Sequence, residues 1–362
     1  MSSASGSDVP RLSSAHGSDQ VIETPLPAQT GDEPLDVPRR TSKPLPAWER
    51  RLGWLYAVVL AVATVGLILL PGRANDYTVS LTLTVLLTVC MASSWNIISG
   101  FSGYTSFGHA GFFGIGAYTG ALLVYHETVH WAVAILLAGL MTTAIALVIG
   151  YPTLRLRGPY FAITMLGLTE LARIIVTAWE SLTFGGSGVY LPILYARSDW
   201  LTNYYAMLVL AVVVVLISYT VGTSRFGLRL LSIRDDEGAA QAMGVSTTMH
   251  KLAAFGLSSF FPGAAGAIYA RHTGYIDPLT VFAVIWSIRA IATSMLGGQG
   301  TILGPVIGAV ALTLVSEQVW ALEPNSYQMI FGGLIVLVVL FMPGGLISLL
   351  QRWEWLPRSR RL

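Results

Sequence analysis

Charge is what this sequence has least of. Only 11% of its 362 residues are Asp, Glu, Lys or Arg, whereas a soluble domain carries roughly 25%. With 54% hydrophobic residues and a mean hydropathy of +0.64, that scarcity excludes an ordinary soluble globular domain. Cysteine is scarcer still. A single residue, Cys90, excludes an intrachain disulfide and a cysteine metal cluster, and its place in an apolar run makes it a packing residue. A dinucleotide fingerprint, a Walker A motif and a zinc-spaced His/Cys set are all missing. Gly297-Gly298-Gln299-Gly300-Thr301 lacks the Lys-Ser/Thr pair of a phosphate loop and joins two apolar runs. No nucleophile–base pair stands out, so an intramembrane enzyme ranks last among the readings.

What is present is a series of continuous apolar runs of the length that crosses a bilayer. A bare backbone finds no partner in lipid, so such runs form helices or a closed barrel. These are continuous rather than alternating, which selects an all-α polytopic membrane protein. The runs predict ten spans: 52–70, 77–99, 111–125, 131–151, 160–179, 204–221, 252–271, 282–296, 302–320 and 328–350. The third and eighth are short enough to be half-helices.

Basic residues orient them. Arg39, Arg40, Lys43, Arg50 and Arg51 precede the first span, and Arg155, Arg157, the 225–251 segment and Arg352, Arg358, Arg360 and Arg361 fall on the same side. The opposite loops hold only Arg73, Arg197 and Arg271. By the positive-inside rule both termini are cytoplasmic. Loop 181–203 is then external, either a flexible connector or a small cap. Residues 1–46, rich in Ser, Pro, Asp and Gly, read as a disordered cytoplasmic tail. Residues 47–351 are the membrane domain, and 352–362 a basic cytoplasmic tail.

Three intramembrane stretches carry polar chemistry. Between Asn96 and Tyr118 glycine recurs among Asn, Ser, Thr and His. Two readings fit: a broken helix lining a wet cavity, or helix packing through glycine. Asn96, Ser106 and His109 are candidates for a translocation path, although a lone histidine is more often structural. Glu170 and Arg173, three apart on one predicted helix, are candidates too; mutual neutralisation is their plainer reading. Arg289 and Glu317 lie in different late spans, placed to pair or to snorkel.

The densest polar segment is 225–251. Arg229 and Arg234 lead into Asp235, Asp236 and Glu237, then Ala239 and Ala240, and Gly244 closes the run. Acids in a first turn and glycine at the far end predict a short surface helix from about Asp235 to Met243. Its small alanines fit close docking into a groove of another protein. Lying on the bilayer as an amphipathic helix is the alternative, against which its few large apolar residues argue.

At these residues the chain resembles the LivH/LivM family, the membrane permeases of ABC importers for branched-chain amino acids, and is the more LivM-like. Ala239-Ala240, three residues and then Gly244 is similar to that family's ATPase-coupling loop, with Gly238 where a strict motif has Glu. The 100–118 stretch, Leu154-Arg155-Leu156-Arg157-Gly158 with Tyr160-Phe161-Ala162-Ile163, and Leu296-Gly297-Gly298-Gln299-Gly300-Thr301 with Gly304-Pro305 are similar in the same order; Gln299 departs from the usual apolar residue. The resemblance implies a bacterial inner-membrane permease subunit with no cofactor of its own, ATP and Mg residing on partner subunits. Those partners are a second related permease, two cytoplasmic ATPase subunits and an extracytoplasmic binding protein, with the bilayer as solvent and no nucleic acid. ATPase coupling falls on Arg229, Arg234, Asp235, Asp236, Glu237, Ala239, Ala240 and Gly244. Relatives carrying urea, amides or other small polar solutes leave the substrate open. An ion-coupled secondary transporter is the remaining alternative; it leaves segment 225–251 without a purpose.

Overall fold

The computed structural model describes residues 61–126, 129–156, 158–191, 197–322 and 345–352, together with 329, 330, 332, 333 and 336. The expected tail 1–46, all of the expected tail 352–362 but Arg352, the start of the first span and most of the last lie outside these residues.

In chain order the helices are α1 (Ala61–Gly72), α2 (Asp76–Trp95), α3 (His109–Tyr125), α4 (Trp131–Thr153), α5 (Pro159–Ala178), the single turn α6 (Glu180–Thr183) and α7 (Arg197–Thr223). After them come α8 (Arg225–Asp235), α9 (Glu237–Ala242), α10 (Thr247–Thr273), the turn α11 (Pro278–Val281), α12 (Ile285–Gly297), α13 (Gly304–Leu322) and α14 (Gly345–Arg352). Two strands, β1 (Val189–Tyr190) and β2 (Tyr275–Ile276), pair antiparallel. The short residues between the apolar runs set the boundaries. Asn75 caps α2 by accepting the Thr78 N–H at 3.1 Å, and Pro159 opens α5 where its missing N–H is no loss.

Among the described residues, seven helical stretches are long and apolar enough to cross a membrane: Asp76–Gly100, Trp131–Thr153, Pro159–Ala178, Trp200–Thr223, Thr247–Thr273, Pro278–Gly297 and Gly304–Leu322. Each overlays an expected span. The expected third span is the 17-residue α3, shorter than the full crossings. The expected eighth gains its length from the turn α11, which Asp277 caps. Loop 181–203 holds the turn α6 and strand β1 locked to β2, with Val189 opposite Ile276, so its described part is a small ordered cap.

Helix α10 is the centre. Most of its residues are buried and it packs against α3, α4, α2 and α7, whereas α5 buries only Phe161, Met165 and Thr169 and stands at the periphery. Small residues bring α10 against α3. A side chain at Gly116 would strike the Gly263 carbonyl, and one at Gly266 the Phe113 carbonyl. Close backbone approach of this kind is how helices associate where lipid removes the hydrophobic drive. The apolar interior has two clusters. The larger includes Trp95, Phe113, Tyr204, Phe261 and Phe282. The smaller joins Ile98, Phe101, Phe112, Phe161 and Phe255 to Leu230, Ile233 and Ala240 of α8 and α9.

Candidate functional site

Segment 225–251 holds two short helices, α8 and α9, and the first turns of α10. Ser224 caps α8 by accepting the Gly227 N–H at 3.2 Å. Leu230 and Ile233, three apart on one face, are buried, while Arg229 and Arg234 are exposed. The helix stops at Asp235 because Asp236 turns extended, with φ −157°, and its carboxylate accepts the Ala239 N–H at 3.0 Å. An aspartate that caps a new helix ends the previous one. The surface helix expected from Asp235 to Met243 is therefore shorter, with Asp235 in the last turn of α8 and Glu237 opening α9. At the far end Gly244 takes φ +82°. Its N–H donates to the Gln241 carbonyl and that of Val245 to the Ala240 carbonyl, both at 3.0 Å. This double bond closes a helix through a left-handed residue.

The alanines divide. Ala240, at 5% exposure, packs inward beside Leu154 and Phe255, while Ala239, Ala242 and Met243 face outward with Asp235 and Asp236. The outer face of α9 is exposed and, Met243 apart, small-residued, and its inner face is bolted down.

The bolt is ionic. Lys251, in the first turns of α10, is buried. Its Nζ donates to Glu237 Oε1 at 2.5 Å, to the Tyr104 hydroxyl at 2.8 Å and to the Leu154 carbonyl at 3.1 Å. Tyr104 in turn donates to Glu237 Oε2 at 2.6 Å. All three ammonium donors are used and both carboxylate oxygens accept, the condition under which a buried pair is tolerated. The four groups come from α9, α10, the end of α4 and the irregular backbone between α2 and α3.

A second tie runs beside it. Arg234 Nη1 donates to the Gly100 carbonyl at 2.6 Å, and its side chain lies against Gly103 and Gly300. Gly300, at φ +78°, donates its N–H to Asn96 Oδ1 at 2.8 Å, and Asn96 Nδ2 donates to the Thr301 carbonyl at 2.8 Å. Gln299 Nε2 donates to the Ser99 carbonyl at 3.1 Å, which accounts for a polar residue at that position. The amide that a phosphate loop would offer at Gly300 is thus spent on Asn96.

The break between α2 and α3 is real. Residues Asn96–Gly100 form a buried π-turn, and residues 103–107 are irregular. Ser106 and Asn96 are wholly buried and serve this backbone. Ser106 accepts the Trp95 Nε1–H at its carbonyl, 2.9 Å, and the Gly108 N–H at its hydroxyl, 3.2 Å. His109 opens α3, fully buried, with the Ser94 backbone near its ring. These three candidates all lie at this break or at the start of α3. Glu170 and Arg173 do not join them. They bond to each other on the exposed face of α5, Arg173 Nε to Glu170 Oε2 at 2.9 Å. Arg229 lies apart as well, with Nη1 3.2 Å from His250 Nε2. Sequence reasoning missed Tyr104 and Lys251. They are 147 residues apart, and no spacing rule links an aromatic in a glycine-rich stretch to a lysine at the head of an apolar run.

An apolar helical bundle with seven membrane-length stretches among the described residues defines a multi-pass membrane protein. The chain belongs to the family described as branched-chain amino acid transport system / permease component, whose family model matches residues 77–340. It is 30% identical to the high-affinity branched-chain amino acid transport system permease protein LivM of Salmonella typhimurium (strain LT2), over 83% of this chain and 76% of that one. The LivM of Escherichia coli (strain K12) gives the same identity and coverage. The autoinducer 2 import system permease protein LsrC of Salmonella paratyphi B is 30% identical over 52% of this chain and 56% of its own. No solved structure matches the chain significantly. The chain is a permease component of the ABC transport family.

Proposed function

We propose that this chain is the permease subunit through which an ABC importer of the bacterial inner membrane carries branched-chain amino acids into the cell. It works beside a second related permease, with two cytoplasmic ATPase subunits holding ATP and Mg and a binding protein on the outer side. The observation that carries this reading is α9: a helix whose outer face is open and small-residued while its inner face is locked to the membrane bundle. ATP-driven movement of the ATPases against Ala239, Ala242 and Met243 is passed through Glu237 to Lys251 and Tyr104, and from Arg234 to the Gly100 carbonyl. Both links end on the break between α2 and α3, so the load falls on backbone that is already irregular and alternates between outward and inward states. The basic residues flanking the spans support a cytoplasmic position for both termini and for α8–α9.

The amino-acid substrate is supported by the wider coverage of the LivM likeness, 83% of the chain against 52% for the autoinducer 2 permease. A further relative of the same family acting on another small solute keeps urea or an amide as the second reading.

The test uses Ala239→Trp, because Ala240 is turned inward and a bulky residue there breaks the fold instead of the docking. ATP-dependent leucine uptake is expected to vanish while membrane insertion and Tm are unchanged. Uptake that persists in vesicles lacking any ATPase subunit would sink the reading. Ala239→Cys fixes the orientation: with Cys90 buried, a membrane-impermeant maleimide is expected to react only from the cytoplasmic side.

A further inference from the structure

A polar cleft of about 400 Å³ opens between α2, α12 and α13. It lies on the half of α2 away from Gly100: Thr84, on its wall, precedes Gly100 by a helix length of about 24 Å at 1.5 Å per residue. Its walls carry a charge of each sign. Arg289 comes from α12 and Glu317 from α13, both half-buried inside apolar spans where an ionisable residue marks a site by default. Glu317 Oε1 accepts the Tyr77 hydroxyl at 2.8 Å, which orients the carboxylate. Thr293, also on the wall, is wholly buried and its hydroxyl has no partner among the described residues, an unusual state for a buried polar group. Leu312 and Trp320 add apolar surface. The size falls within the range of small-molecule sites, and the lining has their character: a few placed polar groups on an apolar wall.

Resting on the amino-acid reading above, we infer that this cleft is a way-station for the transported zwitterion, with Arg289 receiving its carboxylate, Glu317 its ammonium group, and Leu312 and Trp320 its aliphatic side chain. The pairing is self-consistent. A zwitterion is neutral overall, and the cleft offers one cation and one anion on facing helices, so each charge leaves water only to meet its opposite. The unmatched Thr293 hydroxyl stands ready to donate to the carboxylate. A solute with no charge offers neither group an opposite charge, so the cleft also discriminates between the two substrate readings.

The experiment uses the whole importer in proteoliposomes, with Thr84→Cys in this chain. L-leucine is expected to slow maleimide labelling at that position. Isoamylamine and 4-methylpentanoate, each lacking one of leucine's charges, are expected not to. In the labelled background Arg289→Gln or Glu317→Gln removes protection and lowers the leucine carried per ATP hydrolysed by about tenfold or more, the loss of one charge-assisted hydrogen bond. Arg289→Lys restores part of it. The ratio to ATP hydrolysed separates this effect from misfolding, which lowers both quantities together. Leucine uptake without protection, or an unchanged ratio in both Gln variants, overturns the inference alone. Labelling blocked by assembly with the second permease whether or not leucine is present overturns it too, in favour of a subunit contact. Absence of leucine uptake by the unaltered importer instead removes the amino-acid reading, and the inference with it.

Discussion

The two charged regions of this molecule are built on opposite plans. Around Lys251 every polar atom has found its partner inside the chain, from three donors on Nζ to both oxygens of Glu237. The cleft between α2, α12 and α13 is instead an open volume of about 400 Å³, and the Thr293 hydroxyl on its wall has no partner among the described residues. A saturated buried network is stiff and specifies one geometry; an unsaturated one is held ready for something that arrives later. The first plan suits a linkage that must carry a displacement without absorbing it, and the second suits a stopping place for a solute.

The sharpest way to break that contrast is Lys251→Met. It orphans Glu237 in a mostly buried position, and stability should fall by about 3–5 kcal/mol, read as a large drop in Tm of the detergent-solubilised chain. A drop below about 1 kcal/mol would show the carboxylate to be solvated and the network to be no lock. Adding Glu237→Gln should recover much of the lost stability, since removing both charges is far milder than removing one, yet ATP-driven uptake should stay impaired because the tie is gone.

Next in size is Asn96→Ala. Gly300 loses its acceptor and the Thr301 carbonyl its donor, which should cost about 1–3 kcal/mol, with faster hydrogen exchange at residues 298–301 as the local readout. If exchange quickened around α9 instead, the two ties would be one network. Gly244→Val tests the end of α9 through backbone alone. Nothing lies within 4 Å of the added carbon, so the strain of a branched residue at φ +82°, of order 1–3 kcal/mol, acts unassisted. Gly244→Asn should be milder, because asparagine enters that conformation more readily. Proteolysis at residues 243–246 measures both. The smallest effect expected is at Met243, which is 85% exposed. Met243→Gln should change stability by less than about 0.5 kcal/mol while weakening ATPase association in a pull-down of the assembled subunits. Unchanged association would move the docking surface off α9.

Much of the bundle is legible in the chain itself. Seven of the apolar runs become helices within a few residues of where they are expected, because a membrane-spanning backbone has one economical conformation and the runs are long enough to declare it. The break after Asn96 shows in its glycines and hydroxyls. Less legible is the division of segment 225–251. Three consecutive acids look alike in sequence, yet Asp235 ends a helix, Asp236 caps the next and Glu237 enters an ion pair. Which of them caps depends on the angle at which α8 leaves the bundle, and that follows from where Leu230 and Ile233 find their pocket. Ala239 and Ala240 are equally indistinct until the pocket around Phe255 takes one of them.

Local chemistry, then, determined the helices, their membrane habit, the irregular stretch between α2 and α3 and the family to which the chain belongs. Those features arise from runs of neighbours: apolar length, caps, glycine and charge placed within a few residues. Tertiary structure alone decided which charges meet. Tyr104 comes from a part of the chain distant from Glu237 and Lys251, and contacts at that range are set by helix crossings rather than by spacing. Small residues such as Gly116 and Gly263 decide those crossings, since they fix how near two backbones lie and so which side chains fall within reach.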